Sequence, residues 1–117
     1  MAGFPRHHRL LRPVQFRAVF ERATRAGDPL VTVLARPNGL QHGRLGLAVG
    51  RRKIALATRR NTFKRVVRES FRAHPELTAG LDFIVLPKPA AARAERAELR
   101  ASIDRQWRIL HQRLART

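Results

Sequence analysis

The stretch that organises this chain spans residues 57–72 and reads Ala-Thr-Arg-Arg-Asn-Thr-Phe-Lys-Arg-Val-Val-Arg-Glu-Ser-Phe-Arg. Wound as a helix at about 100° per residue, it separates into an apolar side and a cationic side. The side predicted to be buried consists of Phe63, Val66, Val67, Ser70 and Phe71. The opposite side consists of Asn61, Lys64, Arg65, Arg68 and Arg72, with Arg60 at the boundary. Such a helix can pack on a core and still present a row of cations.

The cationic side is suited to a phosphate backbone, because a guanidinium group binds phosphate oxygens through two parallel hydrogen bonds. A merely solvated helix face is the alternative interpretation of any charge run. Here Glu69 is the only acid within the run, so its cations are almost unbalanced. We therefore interpret this side as a polyanion-binding face.

The composition points in the same direction. The 117 residues include 25 Lys and Arg against 8 Asp and Glu, a formal net charge of +17. Self-repulsion of this size opposes compaction, and a nucleic acid would relieve it by neutralising the cations. With 44% hydrophobic residues, the chain can build one modest core, so residues 1–117 are expected to form a single nucleic-acid-binding domain.

Other features of the sequence indicate where the protein is expected to be located. The chain has no cysteine, which excludes disulfides and thiolate chemistry. No apolar run approaches the roughly 20 residues of a membrane span, and the basic N-terminus has no signal-peptide core. We expect a cytoplasmic protein that has no membrane partner.

Working outward from the central helix, the pattern predicts a small α+β sandwich with helices packed against one sheet. Residues 1–12 are expected to form a flexible basic arm, with Leu10 and Leu11 docked on the domain. The other predicted elements are a helix over 13–22, strands over 30–35, 44–50 and 81–86, and a last helix over 93–113. Trp107 lies on the apolar stripe of that last helix and is expected in the core.

The strand over 44–50 has one face with almost no side-chain bulk. Leu45, Leu47 and Val49 point one way, whereas Gly46, Ala48 and Gly50 point the other way. Small residues there would let a ligand or another backbone approach the sheet closely. They would equally well pack beneath a helix, and the sequence leaves both alternatives open.

The first helix carries a pair of aromatic residues beside a cation. Phe16 and Phe20 are one helical turn apart, and Arg17 lies between them. Aromatic rings flanked by cations hold single-stranded nucleic acid through base stacking and phosphate contact. The alternative is that both rings only pack the helix onto the sheet.

No catalytic set is evident in the sequence. No acid stands near a histidine or a second acid at a spacing that suggests general acid–base catalysis or two-metal cleavage. The histidines have no zinc-site spacing, and we expect them at the surface or at helix ends. The pattern therefore favours a binding surface over a protein active site.

Residues 60–72 resemble the Arg-Asn-Arg-apolar-Lys-Arg helix of the protein component of bacterial ribonuclease P. The resemblance extends to residues 11–20, 44–53 and 80–86, in the same order, and covers roughly residues 4–115. Thr62 departs from the pattern, because the family usually has a second arginine at that position. The resemblance implies the element order α-β-β-β-α-β-α, with a left-handed βαβ crossover around the basic helix, against the usual right-handed rule.

The resemblance also implies a function. Members of this family form a ribonucleoprotein with one catalytic RNA and remove the 5′ leader of precursor tRNA. The RNA carries the phosphodiester chemistry with Mg²⁺, so the protein would hold no cofactor, no catalytic residue and no obligate protein partner. A structural RNA-binding protein of the small ribosomal type is the alternative function. An autonomous nuclease or a DNA-binding protein is disfavoured by the absence of paired acids.

Site residues follow from the resemblance by position. Contacts with the catalytic RNA are expected from Arg51, Arg52, Lys53, Arg59, Arg60, Asn61, Lys64, Arg65, Arg68 and Arg72. The cleft for the precursor-tRNA leader is expected to be lined by Phe16, Arg17, Phe20, Gly46 and Ala48.

Overall fold

The computed structural model describes residues 4–115, in which one four-stranded sheet is combined with helices. The helices are α1 (Pro13–Arg22), α2 (Ala57–Ala73), the single-turn α3 (Pro75–Thr78) and α4 (Arg96–Ala115). The strands are β1 (Thr24–Gly27), β2 (Val31–Pro37), β3 (Arg44–Leu47) and β4 (Leu81–Pro87). The expected order α-β-β-β-α-β-α is confirmed, with α3 as an additional turn between α2 and β4.

The sheet has the strand order β1-β2-β4-β3. Strand β2 pairs antiparallel with both β1 and β4, whereas β3 and β4 are parallel neighbours. Because the chain passes through α2 between these parallel strands, the expected βαβ crossover is confirmed, and its left hand stays a prediction. In this register Ile84 of β4 lies between Leu34 and Gly46.

Strand β1 was not predicted from the residues, which indicated only a break at 27–29. It is four residues long and buries only Ala26, so it has no alternating apolar pattern. Its pairing with β2 depends on a tight turn, in which Asp28 Oδ1 accepts hydrogen bonds from the backbone N–H of Leu30 (2.9 Å) and Val31 (3.1 Å). A β-carbon at Gly27 would lie 2.8 Å from the carbonyl oxygen of Val31, so the turn requires glycine.

The main core lies between the sheet and helices α2 and α4. All five residues predicted on the apolar side of α2 are buried: Phe63, Val66, Val67, Ser70 and Phe71. Trp107 of α4 is fully buried, as predicted, and its ring centroid lies 4.8 Å from that of Phe83. Its Nε1 donates a 2.8 Å hydrogen bond to Ser70 Oγ, which satisfies the polar atom of the ring.

A smaller cluster covers the opposite face of the sheet. Val19 of α1 is packed there with Leu34 and Ile84, and Leu10 of the arm completes the cluster. Because successive residues of a strand point to opposite faces, β2 and β4 contribute to both clusters. Helices therefore cover both faces of the sheet, which is the predicted sandwich.

The described part of the N-terminal arm is packed on the domain. Phe4 and Leu10 are buried, and the backbone N–H of Leu10 donates to the carbonyl oxygen of Leu45 at 3.0 Å. Between them a 3-10 turn spans Arg6–His8. Docking was predicted for both leucines; it is confirmed for Leu10 and wrong for Leu11, which is 47% exposed where the chain turns into α1.

Candidate nucleic-acid interface

Helix α2 and the arm together line a cavity of about 320 Å³, which we call the cationic cleft. Its lining residues are Phe4, Arg9, Asn61, Lys64, Arg65, Arg68 and Arg72. Five of the seven are basic, and none of these five forms an ion pair with an acid within residues 4–115. The predicted cationic side of α2 is thus gathered in one place, with its positive charge uncompensated.

Within the cationic cleft, Arg68 lies close to two other arginines. Its pKa is lowered, first because burial disfavours the charged guanidinium and then because Arg9 and Arg72 are close. A guanidinium nevertheless keeps its proton at neutral pH, so the three positive charges repel one another. A polyanion bound in the cleft would convert this repulsion into attraction.

Arg9 was not predicted from the sequence as a site residue. It belongs to the irregular arm, where no periodicity assigns a side chain to a face. The structure places it by pairing with Leu45 at the edge of β3, next to α2. Its guanidinium carbon also lies 5.8 Å from the centre of the Phe4 ring, a cation–π contact. Only the tertiary fold could therefore add this cation to the cleft.

The remaining predicted RNA contacts lie outside the cationic cleft. Arg51, Arg52 and Lys53 form an exposed turn before α2, and Arg59 is exposed on its first turn. Thr62 is directed back to its own helix, since its Oγ1 donates to the carbonyl oxygen of Thr58 at 3.1 Å.

Arg60 has an intramolecular role. Its Nη1 donates to the carbonyl oxygens of Ile54 (2.9 Å) and Ala55 (2.8 Å), in the segment that leads into α2. These two bonds tie residues 54 and 55 to the first turn of the helix. The structure therefore engages Arg60 with the segment before α2, and the RNA contact expected from this residue stays a prediction.

The small-residue face of β3 is covered by α1. A β-carbon at Gly46 would lie 2.7 Å from Cε1 and 2.8 Å from Cζ of Phe16, so the ring rests directly on this glycine. Ala48 is half-buried against the same cluster. Of the two alternatives that the sequence left open, packing beneath a helix is therefore the one observed at Gly46.

The two rings of α1 differ in exposure. Phe16 is half-buried, whereas Phe20 is 52% exposed and Arg17 is exposed beside it. The interpretation that both rings only pack the helix is therefore wrong for Phe20. An exposed aromatic ring next to a guanidinium is available to a stacked base.

The cationic cleft and the surface of α1 are connected. A cavity of about 190 Å³ lies between them, and its lining includes Lys64 and Arg68 from α2, Phe16 from α1 and Gly46 from β3. Arg9 lines both this cavity and the cationic cleft. The fold thus places the cations of α2 and of the arm on one continuous surface with Phe16 of α1.

Three acids of the domain, one buried and two partly buried, are engaged in structural contacts. Asp82 accepts two hydrogen bonds from the guanidinium of Arg44, at 2.8 and 2.7 Å. Asp28 and Asp104 each accept hydrogen bonds from two or more partners. Within residues 4–115 there is no group of three or more His, Asp or Glu that could hold a metal ion, and no helix long and apolar enough to cross a membrane.

Comparison with known proteins links this chain to a family. The ribonuclease P protein component of Methylococcus capsulatus is 48% identical over 111 residues, which cover 95% of this chain and 87% of that protein. The corresponding protein of Escherichia coli O157:H7 is 42% identical over 114 residues, with coverage of 97% and 95%.

Solved structures show the same fold. The ribonuclease P protein of Thermotoga maritima matches with a TM-score of 0.76 and 30% identity, over 86% of this chain and 96% of that one. The protein of Staphylococcus aureus matches with a TM-score of 0.80 at 23% identity, over 87% and 94%. The family model described as Ribonuclease P matches residues 4–111. This chain therefore belongs to the ribonuclease P protein family.

Proposed function

We propose that this chain is the protein subunit of a ribonuclease P that removes the 5′ leader from precursor tRNA. The observation that carries the proposal is the cationic cleft, whose five basic residues have no acidic partner within the described chain. A second support is its continuity with the aromatic surface of α1. Family membership indicates that the enzyme in which these surfaces would act is ribonuclease P.

The two surfaces suggest a division of labour. The cationic cleft would bind phosphates of the folded catalytic RNA, for which a rigid row of guanidinium groups is suited. Phe20 and Arg17, with the exposed edge of Phe16, would hold the single-stranded leader by stacking and phosphate contact. Gly46 and Ala48 would contribute indirectly, because their small size lets α1 lie close to the sheet.

The chemistry in this proposal belongs to the RNA. Magnesium ions prefer carboxylate, carbonyl and phosphate oxygens, and the cationic cleft offers cations and one amide. The bound Mg²⁺ would therefore be held mainly by the RNA. The protein would lower the repulsion between two RNAs by supplying positive charge, which reduces the Mg²⁺ that the complex requires.

The assembly that follows is one protein per catalytic RNA, without another obligate protein partner, in the cytoplasm. A purely structural RNA-binding protein of the ribosomal type is not favoured, since the relatives are ribonuclease P components.

Precursor-tRNA cleavage at low Mg²⁺ tests the proposal, with a bacterial ribonuclease P RNA in the presence and absence of the chain. We expect cleavage only when both components are present. Arg65→Ala should weaken binding to the RNA and reduce the slope of log affinity against log salt by about 1. Arg108→Ala is the matched control, because it removes an exposed arginine of α4 that lies outside the cleft.

RNA binding without stimulation of cleavage would refute the subunit function and favour a structural RNA-binding protein. Equal salt slopes for Arg65→Ala and Arg108→Ala would refute the cationic cleft as the binding face.

A further inference from the structure

A cavity that the proposed function does not use lies at the C-terminal end of α2. It has a volume of about 400 Å³, and we call it the side pocket. One wall of the side pocket is apolar and consists of Phe71, Pro75 and Ala79. The other wall includes the imidazole rings of His8, from the arm, and His42, from the segment between β2 and β3. Sites for small organic groups have volumes of roughly 300–1,000 Å³, so the side pocket has room for a small planar group and none for a duplex.

The side pocket is continuous with the cationic cleft through one residue. Arg72 lines both cavities, and it is close enough to Arg68 for its charge to lower the pKa of that residue. No Asp or Glu of the described chain lines either cavity. An anion bound by Arg68 and Arg72 would thus lie at the entrance of the side pocket.

The wall of the side pocket has the chemistry of a base-binding site. The His8 ring centroid lies 6.2 Å from that of Phe71 and 5.6 Å from that of His42, so several flat rings surround the space. The pKa of His8 is lowered by burial and by the nearby imidazoles of His7 and His42, which favours the neutral form of its ring. Gln41 adds an exposed amide that can donate and accept hydrogen bonds.

His8 also carries an unsatisfied polar atom. Its Nδ1 is buried and has no hydrogen-bond partner within the described residues. Because Nδ1 is buried, a ligand in the side pocket could contact the ring of His8 but not this atom.

We propose that the side pocket binds one unstacked base of the RNA whose backbone phosphate is held by Arg72. This inference rests on the proposed function for the identity of the RNA. Single-stranded RNA is recognised by proteins through bases that leave the stack and pack on aromatic, imidazole and guanidinium planes. The apolar wall alone would suit other occupants. Because the cations of the cationic cleft adjoin it, a ligand that carries both a flat apolar group and a phosphate fits best.

The direct test uses adenosine 5′-monophosphate as probe and ribose 5-phosphate as the probe without a base. Both are titrated into the full-length protein while backbone amide shifts are followed by NMR. We expect only the nucleotide to shift the amides of Gly43, Thr78 and Ala79, and both probes to shift those of Lys64 and Arg68. Identical shift patterns for the two probes would overturn the inference, since the base would then contribute nothing.

Ala79→Phe is the matching variant, because this exposed alanine lines the side pocket and a phenyl group there would occupy it. Ala101→Phe is its control, an exposed alanine of α4 that lies outside the side pocket. We expect Ala79→Phe to abolish the nucleotide-specific shifts and to weaken binding to the catalytic RNA roughly tenfold, the loss expected for one stacked base. The control should retain both properties.

Two outcomes separate this inference from the proposed function. Unchanged RNA affinity in Ala79→Phe, with wild-type cleavage of precursor tRNA, would refute the side pocket and leave the subunit function intact. Nucleotide-specific shifts without any stimulation of cleavage by the wild-type protein would refute the subunit function and keep the base site. If a peptide and no nucleotide shifts these amides, the pocket is a protein-docking site and the inference is wrong.

Discussion

The contact between Phe16 and Gly46 yields a prediction whose size follows from the structure. A β-carbon at residue 46 would lie 2.7 and 2.8 Å from two ring atoms of Phe16 and 3.1 Å from Leu10 Cδ1. Distances below 3.0 Å require something to move, and both neighbours belong to a packed cluster. We therefore expect Gly46→Ala to lower the free energy of unfolding by about 1–3 kcal/mol, the usual cost of overpacking.

A double-mutant cycle measured by urea unfolding checks the cause. In Phe16→Ala the ring is gone, so Gly46→Ala should cost less than about 0.5 kcal/mol or even stabilise the strand, since alanine is favoured over glycine there by about 0.5–1 kcal/mol. Gly50→Ala is the control, because a β-carbon at this position would meet no atom within 4 Å beyond its chain neighbours. It should change stability by less than about 0.5 kcal/mol. If Gly46→Ala destabilises both backgrounds equally, the ring contact is not the reason for the glycine.

Three further predictions concern polar contacts. Arg60→Ala removes both hydrogen bonds to the segment before α2, and we expect a loss of about 1–2 kcal/mol and faster amide exchange at residues 54–56, with Arg59→Ala as the control. Ser70→Ala leaves the buried Trp107 Nε1–H without an acceptor, so urea unfolding should show a loss of about 1–3 kcal/mol, and a change below about 0.5 kcal/mol would contradict this. Burial opposes ionisation of Asp28, but hydrogen bonds from Ser102 and from the backbone of Leu30 and Val31 outweigh it and lower its pKa. Because the pKa of Asp28 is lower in the folded state, its ionisation stabilises the fold at pH values above its unfolded pKa of about 3.9. This stabilisation is lost as the pH falls through the pKa of Asp28 in the folded state. Wild-type protein should therefore lose more stability than Asp28→Ala between about pH 4 and pH 2, as followed by thermal unfolding, and parallel pH profiles would refute this assignment.

Much of the fold was predictable because it depends on local periodicity. The buried set of α2 was identified residue by residue, since apolar positions at helical spacing specify one face. Strands β2, β3 and β4 were located by β-branched and alternating residues. Strand β1 was missed because it buries only Ala26 and is held by its partner strand and by the turn at Asp28.

The functional surface was predictable only along single elements. Helical spacing on α2 identified Asn61, Lys64, Arg65, Arg68 and Arg72, and all five line the cationic cleft. Arg60 belongs to the same cationic run, but its direction depends on the carbonyl groups of a loop five to six residues away. No pattern in the sequence reveals which neighbour a boundary arginine will meet.

By itself, the sequence determined the charge of the surface and the amphipathic division of α2, because composition and helical geometry are local properties. The tertiary structure alone decided that Arg9 joins α2, that Phe16 covers Gly46, and that Phe20 stays exposed one turn later. These outcomes depend on the bridge between Arg9 and Leu45 and on the depth at which α1 lies on the sheet. Contacts between distant segments carry no periodic signal, so they exist only once the chain has folded.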